Sequence, residues 1–203
     1  GLYWLYSFSV KPFAWLQRLL LAMIAATGIV FVAMVSLAYS VDTIITWSLP
    51  TVPISLWLNA LMGGPLLAAI TLYAAQWLAL AGRFGLLLMT VPFIALAANA
   101  AVYIVQGRLL GGVTNSVVAA ADLVPHYHTM LLAFALMCFA GCVLAAFTMH
   151  VVSREAAAHG GGELAFSKRV LVRLLISCLL VFAGVFVMRF AFYMMHLTVG
   201  LAV

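Results

Sequence analysis

An arginine inside an otherwise apolar run near the end of the chain is the residue best suited to chemistry. Arg189, Tyr193 and His196 are spaced at i, i+4 and i+7, so a helix would carry all three on one face. A charge inside a spanning helix costs about 2.5–3.5 kcal/mol on insertion scales and usually marks a partner, a pathway or a ligand site. We predict that this face looks inward, towards other helices or a polar ligand. The alternative is that the Arg189 guanidinium extends to the outer headgroups.

A second polar stripe repeats this spacing within an earlier apolar run. Guanidinium, hydroxyl, amide and imidazole groups at one depth between apolar walls suit a quinone, because its ring carbonyls need donors and its tail needs lipid. The alternative is hydrogen bonding between helices, at about 0.6 kcal/mol per contact. The predicted quinol-binding residues are Arg189, Tyr193 and His196, then Asn99, Tyr103 and Gln106 of the second stripe, and Tyr39.

The elements that position these residues are predicted to be membrane helices. The 203 residues are 68% hydrophobic and 6% charged, with a mean hydropathy of +1.27, whereas about 25% of the residues in soluble domains are charged. We predict an all-α polytopic membrane helix bundle, forming a single transmembrane domain. Five apolar runs are long enough to cross the roughly 30 Å hydrocarbon core, at about 19–39, 54–80, 84–105, 130–149 and 170–199.

Two further features of the runs shape this prediction. Residues 1–10 are apolar but too short to span, and the chain lacks an initiating Met, so we expect the tail of another helix and a fragment whose N-terminal helices are missing. The second run contains Met62-Gly63-Gly64-Pro65, which predicts a kink or local unwinding, because proline removes a helix hydrogen bond.

Positive charges predict the orientation of the bundle. One side has only Arg108, with Arg189 nearby in its helix, and the other side is therefore expected to be cytoplasmic. The C-terminus is then extracytoplasmic, and the residues 150–168 form a cytoplasmic linker. The basic balance is a signal of topology, so no nucleic-acid partner is indicated. The cytoplasmic charges are Lys11, Arg18, Arg83, Arg154, Lys168, Arg169 and Arg173.

Two polar connections on the outer side, at 42–53 and 107–128, are candidates for a partner surface. They contain acids, histidines and a tryptophan suited to the membrane interface. Long polar loops on one face are where membrane proteins receive partners. The predicted docking residues are Asp42, Trp47, Asn115, Asp122, His126 and Tyr127.

Metal and haem sites are not indicated by the pattern. The three cysteines lie in apolar runs without CxxC spacing, and no cluster offers four zinc ligands. Haem held by two histidines of facing helices requires both at one depth, but His150 and His196 belong to opposite ends of the bundle. His126 and His128 lie in a loop beside Pro125, which is a poor frame for axial ligands. We expect no metal and no haem in this chain.

Several segments, in order over nearly the whole chain, resemble the membrane anchor subunit of dimethyl sulfoxide reductase. They are Met62-Gly63-Gly64-Pro65, Gln106-Gly107, Asn115 to Tyr127 and Arg189 to Gly200, with Asp42-Thr43-Ile44 and Thr46-Trp47 agreeing as well. Members of that family have eight helices. The resemblance implies that this chain corresponds to the last five helices and the tail of the third.

The resemblance also implies a function. The family's anchor sits in the bacterial inner membrane, oxidises menaquinol in anaerobic respiration and passes electrons to an iron–sulfur subunit and a molybdopterin catalytic subunit. It carries no haem and is itself non-catalytic, with menaquinol as its substrate. The histidine and glutamate associated with quinol oxidation in the family lie upstream of Gly1. The residues predicted above would then form only the remaining wall of the site.

Two other function classes compete with this interpretation. A transporter or channel would use Arg189 and the Pro65 helix as a polar pathway, and predicts an inverted internal repeat. Comparing the two halves of the sequence reveals none. A purely structural tether would leave the polar stripes bound to one another, with no room for a ligand.

Overall fold

The computed structural model describes residues 2–8, 13–77, 82–115, 117–158 and 166–198. Five helices in it are long and apolar enough to cross a membrane, which confirms the predicted all-α bundle with five spans. The described parts of the chain contain isolated β-bridges but no strand. In chain order the helices are α1 (Leu2–Ser7), α2 (Ala14–Tyr39), α3 (Thr51–Ala74), α4 (Arg83–Leu110), α5 (Ala120–Leu123), α6 (Tyr127–Ala158) and α7 (Lys168–Met194).

The distribution of side chains is that of a protein surrounded by lipid. Phe31, Ile94 and Phe186 are 67%, 69% and 68% exposed, whereas Asn99 and Ser177 are fully buried. Soluble monomers rarely expose large contiguous apolar surfaces. In a bilayer these faces contact acyl chains, while the polar groups find partners between helices.

The bounds of the helices differ from the predicted apolar runs at several ends. α3 ends at Ala74 and α7 at Met194, earlier than predicted, and residues 78–80 and 199 lie outside the described part. α6 is longer than predicted, because its 32 residues extend over about 48 Å, beyond a roughly 30 Å core. The start of the predicted 150–168 linker is therefore helical, and residues 159–165 are outside the described part.

α3 continues through Pro65 as an uninterrupted helix, so the predicted local unwinding is absent. Gly63 of this segment serves packing instead, whereas a Cβ at Gly64 would meet nothing within 4 Å. A Cβ at Gly63 would lie 3.0 Å from the Phe182 ring of α7. At Gly184, where α7 crosses α6, a Cβ would lie 2.6 Å from Cys138 Sγ. Small residues at these points let the helices approach closely, as is usual in membranes.

Three segments meet at one end of the bundle and form what we call the outer cap: residues 40–50, the described part of 111–126, and 195–198. Ile44 forms an antiparallel bridge with Thr198, and the Ile45 amide donates to the Leu197 carbonyl at 3.0 Å. Asn115 Nδ2 donates to the Thr198 carbonyl at 3.2 Å. The cap thus joins the connections α2–α3 and α4–α6 to the segment that follows α7.

Candidate functional site

The seven predicted quinol-binding residues lie at or below the outer cap, and all but Gln106 fall into two groups rather than one. We call Asn59, Asn99 and Tyr103 the amide network. We call Tyr39, Trp47, Phe192, Tyr193 and His196 the aromatic cluster, and Arg189 contacts this cluster through Phe192. Gln106 belongs to neither group, because its Nε2 donates to Met195 Sδ at 3.4 Å.

The aromatic cluster brings the end of α2 against the end of α7. The hydroxyls of Tyr39 and Tyr193 share a hydrogen bond of 2.7 Å. Trp47 stacks on Phe192, with ring centroids 4.8 Å apart and planes at 21°, and its indole Nε1 donates to the Phe192 carbonyl at 3.3 Å. His196 meets the Trp47 ring edge-on at 5.2 Å. The result is a set of ring faces and edges of the kind that packs against another flat ring.

Arg189 lies one helical turn before the end of α7, beside this cluster. Its guanidinium carbon is 5.5 Å from the centroid of Phe192, within the range of a cation–π contact. Its Nη2 atom is buried without a hydrogen-bond partner. Leaving a buried charged donor unpaired is costly, so this nitrogen is well suited to bind an oxygen atom of a ligand.

The unpartnered Nη2 atom of Arg189 binds neither Asp42 nor a backbone carbonyl. No ion pair joins Arg189 to Asp42, although both are described, and Asp42 is exposed. The reason is the fold of the outer cap. Hydrogen bonds of its neighbours to residues 195–198 hold this connection in place and leave Asp42 on its surface.

The predicted single face of α7 is only partly formed. α7 ends at Met194, so His196 lies in the outer cap and is exposed, and Tyr193 is 51% exposed. The buried face of this end of α7 is formed by Met188, Ala191 and Phe192 instead. The i+7 spacing fails at His196 because the helix stops first.

The stripe on α4 is buried along its whole length. Asn99 and Tyr103 are 0% and 4% exposed. Asn99 Nδ2 donates to Asn59 Oδ1 at 2.8 Å, and Asn59 Nδ2 donates to the Tyr103 hydroxyl at 3.3 Å. These are hydrogen bonds between helices, so for these residues the structure favours the alternative to a quinol contact.

Three of the six predicted docking residues are exposed on the outer cap, namely Asp42, Asp122 and His126. Two carboxylates and an imidazole there offer charged contacts for a partner. They lie at the end of the bundle opposite the basic residues Arg83 and Lys168, which begin α4 and α7.

The other three docking candidates shape the cap from within. Asn115 Oδ1 accepts from the amides of Val117 and Val118 at 2.9 and 2.8 Å, as in an Asx turn. Trp47 is half-buried in the aromatic cluster. Tyr127 is 5% exposed and donates to the Tyr103 carbonyl at 2.9 Å, so its predicted surface position is wrong.

Two residues that hold these groups together were not predicted. Asn59 supplies both bonds of the amide network from α3, and its amide within an apolar run was the signal that could have revealed it. Thr46 is fully buried, donates to the Met195 carbonyl and accepts from the Leu197 amide at 3.4 Å. No periodic pattern marks a threonine in a loop.

Comparison with known proteins identifies related sequences. The family described as DMSO reductase anchor subunit (DmsC) matches residues 1–195. The anaerobic dimethyl sulfoxide reductase protein YnfH of Escherichia coli K12 is 31% identical over 208 residues, and the C subunit of the anaerobic dimethyl sulfoxide reductase of the same organism is 31% identical over 205 residues. Both alignments cover the whole of this chain and 65% of the relative's length. No solved structure matches the fold.

Proposed function

This chain belongs to the DMSO reductase anchor subunit family, and from that premise we propose that it anchors a DMSO reductase-like molybdoenzyme in the bacterial inner membrane. In this role it oxidises menaquinol and passes the electrons to an iron–sulfur subunit, which supplies a molybdopterin catalytic subunit. The family match over residues 1–195 and the five spanning helices support the assignment as a multi-pass anchor. The excess of positive charge at the opposite end supports an extracytoplasmic outer cap.

The observation that carries the quinol site is the unpartnered Nη2 atom of Arg189 beside the aromatic cluster. Menaquinol has a flat fused ring, two hydroxyl oxygens and an apolar tail. One oxygen suits Arg189 Nη2, and the ring suits the rings of the cluster. One of the paired hydroxyls of Tyr39 and Tyr193 donates to the other, which keeps its own proton for a ligand.

An exposed apolar surface beside this site suits the isoprenoid tail of menaquinol. Phe31, Met34 and Leu37 on α2, and Phe186 and Phe190 on α7, are all more than half exposed at their surfaces. Asn99, Tyr103 and Gln106 take no part in this proposal, because they are buried and bond to Asn59 or Met195, outside the aromatic cluster.

Oxidation of the quinol releases two protons and two electrons. The guanidinium of Arg189 stabilises the negative charge that builds on the quinol oxygen as its proton leaves, which is the role of a preorganised cationic donor. The exposed imidazole of His196 accepts the two protons one after the other near the outer surface and returns each to water before the next arrives. The electrons pass to an iron–sulfur subunit that docks on the exposed Asp42, Asp122 and His126.

Replacement of Arg189 in the full-length subunit, assembled in its complex, tests the quinol site. Arg189→Leu should lower quinol-linked reduction by at least about a hundredfold, the usual effect of losing one oxyanion donor, while dye-linked reduction by the catalytic subunit stays intact. Arg108→Leu is the matched control, because Arg108 is an exposed arginine at the same end of the bundle and should be dispensable. Unchanged quinol-linked activity in Arg189→Leu would contradict the proposal.

A further inference from the structure

A polar seam runs between α3 and α4 from the outer cap into the membrane. Thr51, Ser55 and Asn59 of α3 stand at i, i+4 and i+8 and share one face. The bonds from Asn59 to Asn99 and Tyr103 set the register of this face against α4. Between Thr51 and Asn59 the seam extends about 12 Å along the helix axis.

Each end of the seam holds a buried polar atom without a protein partner. These atoms are Thr51 Oγ1 at the outer end and Asn99 Oδ1 at the inner end, on side chains that are 7% and 0% exposed. Between these ends, the Tyr103 hydroxyl accepts from Asn59, and within the described chain its own proton has no acceptor. Tyr103 and Asn99 lie one turn apart on α4, so a free donor and a free acceptor face the same seam.

Below the amide network the interface between these helices becomes apolar. Met62 of α3 is fully buried, and the neighbouring Gly63 packs against Phe182 of α7, where a Cβ would lie 3.0 Å from the ring. On α4 the buried residues before Asn99 are Ala95 and Leu96. A polar ligand entering from the outer cap would therefore reach Asn99 and stop there.

We infer that the seam holds a file of ordered water molecules from Thr51 to Asn99. Buried waters typically bind two to four polar groups that would otherwise lack partners. The seam offers an unpartnered atom at each end, the proton of Tyr103, and the lone pairs of Ser55, whose hydroxyl donates to the Val52 carbonyl at 2.8 Å. Through this file the hydroxyl proton of Tyr103 exchanges with water outside the membrane. The inference does not depend on Arg189 or on quinol oxidation.

X-ray hydroxyl-radical footprinting of the full-length subunit in lipid nanodiscs tests for this water. Radiolysis generates radicals from water where it is bound, so a buried side chain beside ordered water is oxidised while one in a dry core is protected. We expect mass spectrometry to find oxidised Tyr103, which is 4% exposed, and unmodified Met149 of α6, which is 1% exposed.

Two variants locate the water within the seam. Thr51→Val removes a hydroxyl that makes no protein hydrogen bond, and Asn99→Leu removes the inner acceptor. Either change should lower the oxidation of Tyr103 about tenfold, as expected for the loss of one hydrogen bond to the water. Thr71→Val is the matched control, because that threonine is exposed on the same helix and bonds its own helix carbonyls.

Oxidation of Tyr103 no faster than that of Met149 would overturn the inference. Wild-type oxidation of Tyr103 in both Thr51→Val and Asn99→Leu would also overturn it. A loss in either variant, with Thr71→Val unchanged, supports it. The readout is oxidation rather than quinol turnover, so failure here leaves the proposed quinol site untouched, and the reverse also holds.

Discussion

The amide network and the aromatic cluster carry similar polar groups near the same end of the bundle, but they differ in exposure and in how their bonds are used. Asn99 and Tyr103 are buried and bind a neighbouring helix through side chains. Tyr193 is half exposed, and the charge beside its cluster has a buried nitrogen without a partner. Buried groups that bond across the interface of two helices hold those helices together, whereas an unpartnered charged donor beside an accessible surface suits a ligand. Similar stripe spacing therefore leads to different roles.

The two regions should differ most in how much their side chains contribute to the free energy of unfolding. Asn99→Leu should lower the free energy of unfolding by about 1–3 kcal/mol, because it leaves Oδ1 of the half-buried Asn59 without its partner. Tyr193→Phe should change it by less than about 0.5 kcal/mol, since its hydroxyl is at an exposed site. Unfolding of the purified subunit in mixed micelles by denaturant measures both. A larger loss in Tyr193→Phe than in Asn99→Leu would reverse the assignment of the two regions.

When quinol oxidation is measured instead, changes in the aromatic cluster should have the larger effect. Tyr39→Phe and Tyr193→Phe each remove one hydroxyl of the proposed site and should lower quinol-linked kcat/KM about fivefold, equivalent to one hydrogen bond of about 1 kcal/mol. Tyr127→Phe is the control, because its hydroxyl donates to a backbone carbonyl inside the bundle. Equal losses in all three variants would mean that the hydroxyls act through the fold rather than on the quinol.

The smallest expected effect is the coupling energy within the amide network, which a double-mutant cycle measures. Asn59→Ala and Asn99→Ala should show a coupling energy near 0.6 kcal/mol and no greater than about 1.7 kcal/mol, the range found between membrane helices. The same cycle on Asn59 and Gln106 should give a value near zero, since Gln106 bonds to Met195. Coupling in the second pair equal to that in the first would rule out a specific amide bond.

The spanning helices could be predicted from the sequence, because a run of about twenty apolar residues can satisfy its backbone in lipid only as a helix. Their ends were harder to predict. α7 stops at Met194 because the following residues pair with the outer cap, and Thr46 reaches the Met195 carbonyl across 149 positions of sequence. Apolar periodicity carries no information about such a distant contact.

The candidate site was predictable in its residue types but not in its grouping. The intramembrane charge of Arg189 identified the region, since such a charge demands a partner. The two stripes have different roles because Asn59 of the facing helix hydrogen-bonds to Asn99 and Tyr103. Which loop residues point outward also depended on tertiary contacts, as the buried hydroxyl of Tyr127 illustrates.

The bridge between Ile44 and Thr198 bears on how the protein is made. Thr46 leaves the ribosome 149 residues before its partner Met195, which at 5–20 residues per second is a delay of about 7–30 s. During synthesis the earlier segment has nothing to pair with, and in the proposed orientation its polar groups stay hydrated on the extracytoplasmic side of the translocon. The outer cap therefore forms late in biogenesis, and in that orientation nascent chains arrested before α7 would be cleaved within residues 40–50 by protease added outside.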